Sequence, residues 1–165
     1  MDIKVSGDLN GILELLKFMV ENELVIGELY KTCGEKWKDD EGFWMNIYED
    51  ENKHAQYINR MIGIISNRPE RFEKGRPFNI FAIKTVISGV QDKIQKTKKG
   101  GIPKNNALFI ARDLEQAMIE DKYGEIVKTD DVEFKSLVQE IVNDTNAHKT
   151  KINQKIAEVK KDKPV

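Results

Sequence analysis

The sequence has a single cysteine, Cys33, among 165 residues, and only two histidines. One cysteine excludes an internal disulfide framework and any cysteine-rich metal site, including an iron–sulfur centre with four thiolates. Positive and negative charges nearly balance, since the chain has 27 Lys and Arg residues and 28 Asp and Glu residues. A nucleic-acid partner is therefore not expected, because such proteins carry a basic surface.

Long apolar runs are also missing, and the first residues do not combine a basic stretch with an apolar one. The sequence thus predicts neither a membrane span nor a signal peptide, and we expect a cytoplasmic protein. What the chain does have is 39% hydrophobic and 33% charged residues, which is typical of a helical globular protein with a core of its own.

Helical periodicity dominates the chain, and we expect one domain over residues 1–165. The predicted helices cover about 8–33, 40–66, 80–98, 105–128 and 131–160, with a loop at 67–79. Gly34 is predicted to end the first helix, and Asn79 to cap the third. Asp130 with Glu133 resembles a capping box that opens the last. The predicted fold is all-α, a four-helix bundle with one extra short helix in a long crossover.

One face of the second helix has an unusual composition. Ile47, Glu51, His54, Ile58 and Met61 are spaced four, three, four and three residues apart, so they share one face. Its ends are apolar, as a core-facing stripe requires, but its centre holds a carboxylate and an imidazole. Burying an unpaired carboxylate costs at least several kcal/mol, so a charge partner is expected.

Other helices repeat this pattern. Glu23 in the first, Glu115 in the fourth and His148 in the last helix each interrupt an apolar stripe, and no Lys or Arg faces inward with them. A metal ion explains this set better than side-chain pairing, since Glu51 and His54, three residues apart, can reach one point. Oxygen and nitrogen donors suit iron, manganese or zinc.

The sequence resembles the rubrerythrin-type di-iron domains of the ferritin-like superfamily, from residue 13 to about 156. The resemblance rests on Glu23 with Tyr30 in the first helix, FWMNIYEDENKHA in the second, LEQAMIEDKY in the fourth and DTNAH in the last. It implies a non-haem di-iron oxidoreductase that acts on peroxide or oxygen. We expect two iron ions, with manganese or zinc as alternatives.

The resemblance also implies roles for individual residues. Glu23 and Glu115 would each be a terminal ligand of one metal, and Glu51 would bridge the two. His54 and His148 would bind one metal each. Tyr30 and Tyr123 match positions where the family places tyrosines near the ligand carboxylates, which implies a hydrogen-bonding role; core packing is the alternative.

Thr145 departs from the family pattern, because the second bridging carboxylate belongs three residues before His148. Three carboxylates then face two divalent ions. Asp144 could swing in as a ligand, a hydroxide could bridge, or one site could be lost and leave a single ion such as zinc. Met118, where rubrerythrins carry a further carboxylate, also weakens a peroxidase assignment. The alternative function is therefore a degenerate one-metal or non-catalytic metal-binding scaffold.

Two partners are considered, an electron donor and a second copy of the chain. Without a rubredoxin-like domain, a redox-active protein would need an external electron donor. The apolar residues Phe78, Ile80 and Phe81 could form a homodimer, or they could seal the crossover helix onto the bundle. An interaction bundle without metal would leave three inward carboxylates unexplained.

Overall fold

The computed structural model describes residues 7–117 and 123–162. This part of the chain is mostly helical, as predicted, with a small two-stranded antiparallel sheet. The elements are α1 (Gly7–Lys36), α2 (Glu41–Asn67), β1 (Phe72–Lys74), α3 (Ile80–Lys98), α4 (Lys104–Ala117), α5 (Tyr123–Ile126), β2 (Val127–Thr129) and α6 (Val132–Lys161). Short 3-10 turns at Lys38–Asp40 and Pro69–Arg71 flank α2.

Two apolar clusters form the core. Helix α1 packs along α2 and α3, and α6 packs against α4 and α2. The first cluster contains Leu16, Ile58 and Ile141, and the second contains Trp44 and Ile152. Since α1, α3 and α6 run from the first cluster to the second, while α2 starts in the second and ends in the first, α1 and α6 are antiparallel to α2.

The predicted fourth helix, about 105–128, is helical at Lys104–Ala117 (α4) and at Tyr123–Ile126 (α5), but its predicted end is wrong, because strand β2 begins at Val127. Residues 118–122, which include Met118, lie outside the described residues. Strand β2 pairs with β1, which lies in the segment predicted as a loop; Phe72 is opposite Thr129. A Cβ on Gly75 would collide with the carbonyl oxygen of Glu125, so glycine permits this close approach.

The predicted helix ends were right in one case and wrong in two. Asn79 caps α3, since its side-chain oxygen accepts a hydrogen bond from the Phe81 amide. At α6 the cap is Asp131, which accepts from the amide of Phe134. Glu133 is instead bound by arginine side chains, so no capping box forms. Helix α1 continues past Gly34, which lies against α2.

Among the described residues, the exposed large hydrophobic side chains are Leu24, Phe81 and Val132. Phe78 and Ile80 are half-buried and pack against the first cluster, so they help to seal α3 onto the core. Phe81 is 75% exposed. Within the described ranges, every helix is too short or too polar to cross a membrane.

Candidate metal centre

A buried polar layer separates the two apolar clusters. It contains Glu23 of α1, Glu51 and His54 of α2, Glu115 of α4 and His148 of α6, each at most 1% exposed. All five are residues that the sequence predicts as ligands. Four helices therefore bring the predicted ligands into one layer.

The layer consists of two triads that share Glu51. In the first triad, Nδ1 of His54 lies 3.5 Å from Oε2 of Glu23 and 3.5 Å from Oε2 of Glu51. In the second, Nδ1 of His148 lies 3.2 Å from Oε1 of Glu51 and 3.6 Å from Oε2 of Glu115. Within each triad, one ligand atom from every residue lies within 4.8 Å of the others. Each oxygen of Glu51 thus faces a different histidine.

Helix α1 approaches α2 closely at this layer because residue 27 is a glycine. A Cβ on Gly27 would lie 3.3 Å from Cβ of Glu51 and 3.4 Å from the Tyr48 ring. Gly27 follows Glu23 by one helical turn, on the same face. The missing side chain lets Glu23 and Glu51 meet at one point.

The nitrogen and oxygen atoms that face each other within the triads have the spacing that a metal ion requires. Both oxygens of Glu51, Nδ1 of His54 and Nδ1 of His148 are buried without a hydrogen-bond partner among the described residues. Two donor atoms about 2.1 Å from one tetrahedral ion would lie about 3.4 Å apart. The nitrogen–oxygen distances of 3.2 to 3.6 Å match that spacing.

The outer nitrogens of both histidines contact aspartates from the opposite helix. Nε2 of His54 lies 3.3 Å from Oδ2 of Asp144, and Nε2 of His148 lies 3.0 Å from Oδ2 of Asp50. Lys53 contacts both aspartates, at 3.4 Å from Asp50 and 2.8 Å from Asp144. With Nε2 protonated, each histidine donates to an aspartate and presents Nδ1 to its triad.

Asp144 is one of three alternatives that the sequence offers for the missing bridging carboxylate. In the structure it lies on the outer side of His54, and it is 31% exposed. Asp50 was missed altogether. A signal for it exists in the sequence, because each histidine is preceded by an aspartate four residues earlier.

Two tyrosines bind the remaining carboxylate oxygens. The Tyr30 hydroxyl donates to Oε1 of Glu115 over 2.6 Å, and the Tyr123 hydroxyl donates to Oε1 of Glu23 over 3.0 Å. Each bond connects distant segments of the chain and fixes one carboxylate. The tyrosines thus do more than fill the core.

Thr145 lies in the same layer, one helical turn before His148, and is 2% exposed. Its position relative to His148 is that of Glu51 relative to His54. Its Oγ1 has no hydrogen-bond partner in the part of the chain that the structure describes. Helix α2 therefore has a carboxylate at this position, and α6 has a hydroxyl.

Protons on the two histidines and on Glu115 offset the negative charge of the layer, since burial and the nearby Glu51 carboxylate raise the pKa of Glu115. Burial disfavours a charged His54, but the carboxylates of Glu23 and Glu51 outweigh burial and raise its pKa to about 11. Burial likewise opposes charge on His148, yet Glu115 and Glu51 raise its pKa to about 10. Burial also opposes charge on Glu51, but the two histidines lower its pKa to about 2. The layer thus requires cations, which protons or metal ions can supply.

No family model matches the chain, and no curated protein or solved structure matches it either. Function is therefore inferred from the residues and their geometry.

Proposed function

We propose that this protein is a ferritin-like metal-binding protein that holds two divalent ions, one in each triad. One observation carries the proposal: two buried triads of two carboxylates and one imidazole share Glu51. Glu23 and His54 would hold one ion, Glu115 and His148 the other, and Glu51 both. Without cations, three buried glutamates in one layer would be strongly unfavourable.

The course of the helices supports the ferritin-like part of the proposal. Four helices, α1, α2, α4 and α6, each supply a ligand, and α1 and α6 are antiparallel to α2. Helix α4 begins in the second cluster and reaches the polar layer at Glu115, so it runs parallel to α2. A connection between two parallel helices must run back along the length of the bundle, so it is long. Helix α3 lies within the connection from α2 to α4. One long crossover is a property of ferritin-like bundles.

The donor set favours iron, manganese or zinc, and we propose iron as the working metal. Bound iron supplies one-electron redox chemistry toward peroxide or oxygen. The chain's own part is to exclude water and to orient the donors: the tyrosines fix Glu23 and Glu115, and the aspartates hold the histidines. These 165 residues hold one cysteine and so cannot themselves form an iron–sulfur centre with four thiolates; we propose an external electron donor.

Peroxide consumption tests the oxidoreductase part. Reduced, iron-loaded protein should consume hydrogen peroxide much faster than the same concentration of free ferrous ion. The Glu51→Ala variant, mixed with equal iron, is the matched control and should behave like free ferrous ion. Equal rates for wild type and free iron would reject the enzyme.

A second candidate function is a non-catalytic metal binder, and Thr145 favours it, because the bridging carboxylate of the family is missing there. In that case the wild type would bind metal tightly and gain stability from it, but peroxide consumption would not exceed that of free iron. The same assay therefore separates the two functions.

A homodimer also remains a proposal. The supporting observation is Phe81, an aromatic side chain 75% exposed at the start of α3. Sedimentation of wild type and Phe81→Ser tests it: a dimer that the substitution dissociates is expected, and a monomeric wild type would reject it.

A further inference from the structure

The hydroxyl of Thr145 differs from those of the other buried threonines, Thr32 and Thr97, which both donate to a backbone carbonyl. Five Ser and Thr side chains donate to the backbone carbonyl four residues earlier, as is usual inside helices: Thr32, Ser66, Thr85, Thr97 and Thr150. Thr145 makes no such bond with Ile141 and has no other acceptor among the described residues. Its donor is buried and unused, which is unfavourable unless a ligand accepts it.

We propose that Thr145 marks an anion-binding position of the metal centre, which takes a small monoanion such as formate, azide or hydroperoxide. The Thr145 hydroxyl would donate a hydrogen bond to the anion. This inference rests on the proposed function, because it requires metal ions in both triads. It deepens that function by naming the chemical class of ligand the centre accepts.

Charge supports a monoanion. The buried carboxylates of Glu23, Glu51 and Glu115 carry three negative charges, and two divalent ions carry four positive charges. The loaded layer therefore has one uncompensated positive charge. Asp50, Asp144 and Lys53 together add one negative charge, but they are 27%, 31% and 40% exposed, so water screens them. One further anion is favoured in the dry layer.

Position supports the same conclusion. Thr145 occupies on α6 the place that Glu51 occupies on α2, one turn before a histidine. A glutamate there would bring its own carboxylate to the centre. Threonine is shorter and uncharged, so an anion from solution can take the place of that carboxylate.

Azide binding to the metal-loaded protein tests the proposal. Metal content is measured first, and then azide is titrated by optical difference spectroscopy, with formate as competitor. We expect saturable azide binding that formate displaces. Thr145→Glu should keep two metal ions and lose azide binding. Thr145→Val should weaken azide about tenfold or more, because a hydrogen bond to a charged group is lost, and Thr145→Ser should restore it.

The outcomes separate the inference from the proposed function. A wild type with fewer than two metal ions would reject the two-ion function and the inference with it. Two ions in the wild type with unchanged azide affinity in Thr145→Glu or Thr145→Val would overturn the inference alone.

The metal-free protein provides a second readout that does not depend on loading. Thr145→Val removes an unpartnered buried hydroxyl, so its thermal midpoint should rise above that of wild type. Thr97→Val is the matched control, because Thr97 is equally buried but donates to the carbonyl of Lys93. Its midpoint should fall. An equal fall in both variants would show that the fold already uses the Thr145 hydroxyl, and would overturn the proposal.

Discussion

Helices α2 and α6 face each other across the polar layer with nearly the same side chains. Residues 50–54 of α2 read DENKH and residues 144–148 of α6 read DTNAH. In both, the histidine presents Nδ1 to buried carboxylates, and the aspartate contacts Nε2 of the other helix's histidine. The segments differ at the fourth position, Lys53 against Ala147, and at the second position, where Glu51 faces both triads and Thr145 faces the layer with a hydroxyl.

This comparison shows which parts of the layer are duplicated and which are shared. Each histidine, each aspartate and each tyrosine acts on one triad, so losing one should affect one half. Glu51 acts on both triads, and the matching position on α6 holds Thr145, which has no carboxylate. The four experiments below use that difference, starting with the residue whose loss should matter most.

Glu51→Ala should abolish binding at both triads, because each triad then keeps only one carboxylate and one imidazole. In the metal-free protein, both protonated histidines lose their shared partner, which should cost about 3–5 kcal/mol of unfolding free energy. Metal analysis after dialysis and urea denaturation measure the two effects. Glu49→Ala, an exposed neighbour on the same helix, should change neither. A Glu51→Ala protein that retains two ions would contradict the shared role.

Raising the pH should destabilise the metal-free protein. His54 and His148 have ordinary pKa values of 6.5, raised in the fold to about 11 and about 10. A raised pKa stabilises the fold fully below the unfolded value, and this stabilisation is lost as the pH rises through the folded value. The unfolding free energy should fall from pH 6.5 toward pH 10.

The metal-loaded protein should respond in the opposite sense. Metal ions must displace the protons on Nδ1, so metal affinity should increase over the same pH range. Denaturation series with and without metal measure both trends. A flat metal-free profile would mean that the histidines are not the cations that neutralise the layer.

Replacing Asp50 or Asp144 should weaken metal binding at one triad more than at the other. Asp50→Asn acts on His148 and Asp144→Asn on His54, and loss of such a partner typically reduces metal affinity 10- to 100-fold. Calorimetric titration of each variant should show one weakened and one unchanged binding event. Asp92→Asn, on the surface of α3, is the control. Equal weakening of both binding events in either variant would argue that the two aspartates do not each act on the histidine of the other helix.

The tyrosines should have the smallest effects. Tyr30→Phe removes a 2.6 Å bond to Glu115, and Tyr123→Phe removes a 3.0 Å bond to Glu23. We expect each to lower the unfolding free energy by about 1–3 kcal/mol, with Tyr30→Phe the larger, because its bond is shorter. Tyr48→Phe, which is half-buried, should be close to neutral. A larger loss of unfolding free energy in Tyr123→Phe than in Tyr30→Phe would show that hydrogen-bond length does not determine which substitution costs more.

The sequence predicted what depends on local periodicity. The spacing of apolar residues placed α1, α2, α3 and α6 within a few residues of their observed ends, and the same spacing brought Glu51 and His54 to the inner face. The strand at 127–129 could not be predicted, because its partner is more than 50 residues away and pairing overrides local helical preference.

The same reasoning explains why the contacts of two aspartates at the site were not predicted. Asp50 and Asp144 lie beside the inward stripes rather than on them, and their partners are 98 and 90 residues away. A test applied only to inward faces finds the buried carboxylates and imidazoles but not the groups that contact the outer nitrogens of the histidines. Each aspartate contacts the histidine of the other helix, and this contact depends on how α2 and α6 pack against each other. The residue pattern of one helix alone does not show it.

The stoichiometry of metal binding tests the central claim most directly. Chelator-stripped protein would be titrated anaerobically with ferrous ion, following bound iron per chain. Two triads that share Glu51 predict two equivalents in wild type and none in Glu51→Ala. One equivalent or fewer in wild type would contradict the two-ion centre.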